Sequence, residues 1–243
     1  MNKVGILYIC TGKYSVFWKG FYRSTEELFL PDAEKYYFVW TDAEEIFAEA
    51  EKNDHLFCYR QETESWPFPT LKRFSYFLRA EQELEKMDYL LFMNGNLRVN
   101  ETILFSDIMP EGEEGLFVTM HPGFYASSPA EFTYDNNPEC SAYIKKGDGK
   151  YYFAGGFNGG RTEEYLKMIR CLAERIEEDL KKDIIALWHD ESQLNRYMND
   201  LDEKTYRILS PAYLYPEDLN LPFKEKITVM DKRKKGGHDF LRM

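Results

Sequence analysis

His189, Asp190 and Glu191 stand in series between Trp188 and Ser192. They follow a short apolar run, residues 184–187, and open a stretch of helical spacing, residues 192–200. A carboxylate at such a junction can be held beside a reacting carbon. A metal pair is a poorer reading, because the spacing is not that of two histidines on one helix face. Asp190 or Ser192 as a helix N-cap is the plain structural alternative. A second group, Met93-Asn94-Gly95-Asn96, ends an apolar run at residues 88–93. Two carboxylates at that spacing would hold Mg²⁺ or Mn²⁺ against a diphosphate. Here both are neutral amides, which bind a hard cation weakly, and Asn-Gly is also tight-turn chemistry. His121-Pro122-Gly123-Phe124-Tyr125 turns on Pro-Gly and gathers His121 with two aromatic rings. Residues 154–160 hold four glycines, which let a ligand approach the backbone. There is no GxGxxG and no Walker lysine, so a pocket wall fits them better than a phosphate loop.

The elements that must position these groups alternate. Residues 4–10 are a continuous apolar, β-rich run and predict a buried strand. Val16, Phe17, Phe21 and Leu28 give helical spacing over residues 14–29. A strand at 35–40 ends in Thr41-Asp42, an N-cap signature for a helix at 43–51. A strand at 55–59, a loop at 63–70, an amphipathic helix at 71–86 and a strand at 88–93 follow. This β-α-β-α rhythm predicts an α/β fold with a mostly parallel, doubly wound sheet. In such sheets ligands sit beyond the carboxyl ends of the strands. The second half is more mixed: strands at 116–120 and 150–153, a long helix at 161–182, and late short strands at 207–209 and 226–230. No repeat or linker divides the chain. It reads as one domain, residues 1–243, with a nucleotide-binding half at 1–97, an acceptor and catalytic half at 98–223, and a basic tail at 224–243.

The net charge is −11, which argues against a general nucleic-acid or anionic-membrane surface. Against that background residues 224–235 carry six cations and two acids. An acidic chain that gathers its cations at one end can be reserving them for one anionic ligand; a solvated end is the plainer reading. Aromatics make up 16%, which suits either sugar faces or a core. Cys10, Cys58, Cys140 and Cys171 form no CxxC pair or zinc pattern, so free thiols in a reducing compartment are expected. The first ten residues are too briefly apolar for a signal peptide or anchor. The expectation is a soluble cytoplasmic protein, at most peripheral to the inner membrane face.

Taken together and in order, the motifs are specific: HPGFY at 121–125, Ser127-Ser128, Phe132-Thr133-Tyr134, YFAGGFNGG at 152–160, WHDES at 188–192 with Leu194-Asn195, Leu209-Ser210-Pro211 and Tyr213-Leu214. They resemble glycosyltransferase family 6, the family of the histo-blood-group A and B transferases and the α-1,3-galactosyltransferase. The resemblance covers nearly the whole chain and is densest from about residue 88 to 215. The short chain, without anchor or stem, looks like the bacterial branch.

The resemblance implies a GTA-type fold, a UDP-Gal or UDP-GalNAc donor, and transfer with retention to O3 of a terminal, 2-fucosylated galactose. It places Ile9, Cys10, Thr11 and Tyr14 at uracil and ribose, with Trp66 and Arg73 near the donor. Asn94 and Asn96 replace the metal-binding aspartates of animal members, so no metal or other cofactor is expected. Ala154-Gly155-Gly156 matches the tripeptide that selects the donor sugar, and Asp190 falls on the donor side. His121, Thr133 and Trp188 match acceptor contacts, with Glu217 a substitute for an acceptor-binding aspartate of relatives. Glu191 matches the catalytic glutamate. Lys232 matches a tail residue that reaches the diphosphate, and the register there leaves Arg233 or Lys234 as alternatives. Without a metal the departing diphosphate needs another positive partner. The basic tail, with Arg73 as helper, is the expected supplier and the expected lid. Three residues as small as Ala-Gly-Gly leave room for the acetamido group of GalNAc, which favours UDP-GalNAc over UDP-Gal. The competing readings are a non-catalytic sugar-nucleotide or glycan-binding homologue and a nucleotide-sugar hydrolase.

Overall fold

A computed structural model describes residues 1–242. The elements in chain order are β1 (Lys3–Cys10), α1 (Trp18–Leu28), β2 (Glu34–Thr41), α2 (Glu44–Ala50), β3 (Leu56–Arg60), α3 (Phe68–Leu71), α4 (Arg73–Leu78), α5 (Glu81–Leu84), β4 (Tyr89–Met93), β5 (Leu97–Val99), α6 (Phe105–Ile108), β6 (Leu116–Met120), β7 (Phe153–Arg161), α7 (Thr162–Leu180), α8 (Asp190–Asn199), β8 (Tyr206–Leu209), β9 (Tyr215–Pro216), β10 (Ile227–Val229) and α9 (Gly237–Leu241). Seven strands form one sheet in the order β3-β2-β1-β4-β7-β6-β8. β3, β2, β1 and β4 run parallel, β7 is antiparallel to both neighbours, and β8 runs parallel to β6. The mostly parallel α/β architecture expected from the sequence is present, and it is consistent with a GTA-type fold. A small sheet, β5-β10-β9, ties the end of the chain back to the segment after β4.

Both faces of the large sheet are covered, which is why its central parallel strands, β1 and β4, read as nearly continuous apolar runs. Along β1, Val4, Ile6, Tyr8 and Cys10 pack into one cluster with Trp18 and Phe21 of α1. Leu7 points to the opposite cluster with Phe74 and Phe77 of α4 and Tyr165, Leu166 and Ile169 of α7. This is the period of two expected for a strand buried on both sides.

Four local expectations are corrected. The strand expected at 150–153 is β7, which begins at Phe153 and runs through the glycine segment to Arg161. Glycine is required there by close packing: a Cβ at Gly159 would lie 2.5 Å from the Leu90 carbonyl oxygen and 2.7 Å from the Phe117 ring. Its neighbours supply the bulk, so period and β-propensity gave no signal. The single helix expected at 71–86 is three short helices, α3 to α5, joined by residues with non-helical backbone at Lys72 and Ala80. The helix expected at 14–29 opens as a 3-10 turn at Gly12–Phe17 before α1. Asp42 is not an N-cap: its carboxylate accepts the Gly12 N–H and the Thr63 hydroxyl, both at 2.7 Å, and so ties the loop after β1 to the loop after β3.

Candidate active site

The carboxyl ends of β1 and β4 and the amino end of β7 open onto one cleft of about 550 Å³. Because β7 is antiparallel, its start lies beside the ends of its neighbours. Its register against β6 slips between Val118 and Thr119, so that Asn158 faces Val118 while Ala154 faces Thr119. The extra residues bulge toward the cleft, a common device for re-aiming backbone at a site. Asn158 spans the bulge: its amide donates to the Gly155 carbonyl (3.1 Å) and its oxygen accepts from the Tyr165 hydroxyl (2.7 Å).

Gly155 is a hub. Its N–H donates to Glu191 Oε2 at 2.9 Å, and its carbonyl also accepts from Arg73 Nη1 at 3.1 Å. A Cβ there would sit 2.9 Å from both Arg73 Nη2 and Asp190 Oδ2. Arg73 and Asp190 form an ion pair in which both side chains are buried, the condition under which buried charge is tolerated. Burial brings the Arg73 guanidinium down to about 10. Glu191 itself is pushed up to about 7 by burial, with the Gly155 N–H, Arg73 and the Tyr152 hydroxyl pulling the other way. The residue before this pair, His189, has φ of +56°. A non-glycine residue in that region is strained, and such strain collects at functional sites.

One side of the cleft is cationic. Lys232 Nζ lies 5.3 Å from the centre of the Tyr14 ring, and the Arg242 guanidinium stacks 3.6 Å over Trp66. Both line the cleft. Burial, then the nearby Arg242 charge, lower Lys232 to about 8. Among the described residues neither cation has a carboxylate partner. The tail reaches this position through β10 and α9, whose Leu241 is buried.

An aromatic wall continues from Glu191. Trp188, about half exposed, donates its indole N–H to Thr133 Oγ1 at 3.0 Å. The Tyr152 ring stands edge-on to His121, with centroids 5.6 Å apart. Gly123 N–H donates to His121 Nδ1, so the neutral ring carries its proton on Nε2. Burial holds His121 down to about 4.

A profile of glycosyltransferase family 6 matches residues 2–242. The chain belongs to glycosyltransferase family 6. It is 34% identical over 234 residues to the O-antigen biosynthesis glycosyltransferase WbnI of Escherichia coli, covering 95% of each chain. It is 32% identical over 225 residues to histo-blood group ABO system transferase 1 of Rattus norvegicus, covering 89% of this chain and 62% of that longer protein. It is 24% identical over 219 residues to globoside α-1,3-N-acetylgalactosaminyltransferase 1 of Homo sapiens, covering 88% of this chain and 61% of that one. Family 6 membership makes the chain a hexosyltransferase, working with a nucleotide-sugar donor and a glycan acceptor.

Within the family 6 cleft the structure gathers Ile9, Thr11, Tyr14, Trp66, Arg73, Asn94, Gly155, Gly156, Trp188, Asp190, Glu191 and Lys232. His121 and Thr133 stand in the adjoining aromatic wall. Five expected donor or acceptor residues are not brought to the cleft. Cys10 turns its thiol into the core toward Thr41, so only its backbone can serve. Ala154 is buried among core residues. Arg233 faces outward, paired with Asp218 at 2.6 Å and Asp231 at 2.9 Å. Glu217 is an anchor for the tail: one oxygen accepts the Asp231 N–H and the other pairs with Lys234, both at 2.7 Å. Asn96 is buried and donates its amide to the Met230 carbonyl at 2.8 Å. The reason is the same for the last three: the tail folds back over this face, and local sequence does not say which of its neighbours it will recruit.

The pair Asn94 and Asn96 does not fit a divalent cation. Asn94 Oδ1 accepts the Gly95 N–H at 3.1 Å, and Asn96 Oδ1 accepts the Asn94 amide at 3.2 Å. Among the described residues no carboxylate joins them to form a metal-binding group, and both amide oxygens already accept hydrogen bonds. Residues that sequence reasoning passed over are Tyr152, Asn158, Asn195 and Arg242. Tyr152 and Asn195 lay inside the motifs, but nothing in their spacing gave them a role. Arg242 lies ten residues beyond Lys232 and joins it only through the fold of the tail.

Proposed function

We propose that this chain is a retaining α-1,3-N-acetylgalactosaminyltransferase that moves GalNAc from UDP-GalNAc to O3 of a terminal, 2-fucosylated galactose without a metal ion. The observation that carries the reading is the presence, in one cleft, of the partly buried carboxyl of Glu191 and two cations that have no carboxylate partner among the described residues, Lys232 and Arg242. Breaking the bond between the sugar C1 and the diphosphate oxygen leaves negative charge on UDP. Lys232 and Arg242 stand ready to receive that charge, and a dry, preorganised site makes such a pairing strong. Glu191 faces the opposite need: positive character at C1. It meets it either as a nucleophile or by stabilising an oxocarbenium-like centre while acceptor O3 enters on the face that UDP leaves. Trp188, His121 and Thr133 supply an aromatic and hydrogen-bonding wall suited to a galactoside.

The α-1,3 linkage and GalNAc are supported by the activity for which the globoside relative is named and by volume. A Cβ at Gly156 would stand 3.3 Å from the Leu214 side chain and 3.6 Å from Asn94 Cβ, so a larger residue there would have to push the Leu214 side chain aside. UDP-Gal is the second donor, since a small wall excludes nothing smaller. The test is product mass after incubation with UDP-GalNAc, UDP-Gal or neither, with 2′-fucosyllactose as acceptor in excess EDTA. An N-acetylhexosamine-extended product is expected, in larger yield than the hexose product. Strict dependence on added Mn²⁺ would overturn metal independence. UDP release without any extended product would make the protein a hydrolase, and silence in every arm would leave a binding protein.

A further inference from the structure

Glu191 and Asn195 lie one turn apart on α8, and Phe153 and Gly155 lie two residues apart on β7. One helical turn rises about 5.4 Å and two strand residues about 6.6 Å, so the two pairs can meet. They do. Glu191 Oε2 takes the Gly155 N–H at 2.9 Å. Asn195 grips both sides of Phe153: its oxygen accepts the Phe153 N–H at 2.9 Å and its amide donates to the Phe153 carbonyl at 2.8 Å. The same amide also donates to the Glu191 carbonyl at 2.9 Å. Asn195 is buried, and its side chain works as a piece of strand edge planted on a helix.

We propose that Asn195 is a positioning residue for Glu191, fixing α8 to β7 so that the glutamate side chain is free to leave Gly155 when the donor sugar arrives. The physical reason lies in turnover. A group that reacts at C1 cannot also be the anchor of its own helix, because its hydrogen bond to Gly155 must give way to substrate. The Asn195 contacts involve only backbone partners that the reaction does not touch. They hold the Glu191 backbone while its carboxylate changes partners, and a misplacement of about 1 Å at a reacting group costs on the order of 100-fold in rate.

The inference rests on the assignment of Glu191 to the chemistry, and the test separates the two. Asn195→Ala, Asn195→Asp, Glu191→Gln and the double variant Glu191→Gln/Asn195→Ala are compared by thermal unfolding, UDP affinity, and kcat and KM for transfer. Asn195→Ala is expected to lower kcat roughly 10- to 100-fold with UDP affinity and both KM values within about threefold of wild type. Asn195→Asp keeps the acceptor for the Phe153 N–H and, while protonated, one donor for the facing carbonyls, so its loss should be smaller at low pH than at high pH, and it covers the case in which the alanine variant fails to fold. The double variant should be no slower than Glu191→Gln alone, because a residue that acts through Glu191 has nothing left to position. Losses that multiply in the double variant, or a fully folded Asn195→Ala with unchanged kcat, would overturn the proposal. Full activity in Glu191→Gln would instead remove the assignment on which it rests.

Discussion

Glu191 and Lys232 are displaced in opposite directions by the same cause. Burial raises the carboxyl to about 7 and lowers the ammonium to about 8, because an apolar environment disfavours whichever form is charged. Both groups must be charged to act as proposed, so kcat/KM should be bell-shaped, with an acid limb near 7 and an alkaline limb near 8. Lys232→Arg should carry the alkaline limb upward, since a guanidinium keeps its charge; a pH–rate profile of that variant identical to wild type would detach the limb from Lys232. For stability the sign is fixed by the ordinary carboxyl value of 4.5. The fold prefers Glu191 protonated, so its contribution is fully present below 4.5 and is lost as pH rises through about 7. Glu191→Gln, neutral at every pH, should therefore melt above wild type at pH 8 and alongside it at pH 4. The gain should be roughly 2–4 °C for each kcal/mol recovered. Differential scanning fluorimetry at the two pH values reads it, and equal melting at pH 8 would mean that the carboxylate is not penalised in the fold.

At the scale of elements, the catalytic end of β7 is made by its bulge. The slip at Val118 and Thr119 aims Gly155 into the space between Arg73, Asp190 and Glu191. A methyl group at Gly155 has no room there without parting the buried pair. Gly155→Ala is expected to cost both stability and rate: about 1–3 kcal/mol for overpacking and at least tenfold in kcat. Chemical denaturation and initial-rate measurement check this, and a variant with wild-type values in both would mean that the hub is looser than its geometry. Gly156 stands against Leu214 and Asn94, so a larger residue there should act first on donor choice.

The whole molecule decides where positive charge goes. An acidic chain folds its cationic end across the cleft: β10 pairs with β5 just beyond the Asn94–Asn96 turn, and Asn96 bonds Met230 directly. The residue position that would hold a metal in a carboxylate pair is thereby used to seat the segment that brings in Lys232 and Arg242. Removal of residues 230–243 should abolish transfer while leaving the large sheet folded, because every strand of that sheet precedes the cut. Circular dichroism with an end-point transfer assay distinguishes the two, and full activity in a folded truncation would end the role of the tail. Among the described residues no helix is long and apolar enough to cross a membrane.

The sequence by itself made the parallel half of the sheet legible, because strands buried on both faces must be largely apolar, as residues 4–10 and 89–93 are. It also determined the site motifs around Trp188–Ser192 and His121–Tyr125, whose residue types are unusual in series and so are visible without partners. It did not reveal that the glycine segment is a central strand, because the side chains that make Gly159 necessary belong to β4 and β6. It did not separate Lys232 from Arg233, or show that Asn96 and Glu217 serve the tail, because those assignments depend on contacts between segments more than a dozen residues apart. Arg73, Gly155, Asp190, Glu191 and Arg242 become one site only when the sheet brings four separate stretches of chain to a single edge. Local pattern records which face of an element is buried; which distant side chain meets it is fixed by tertiary packing.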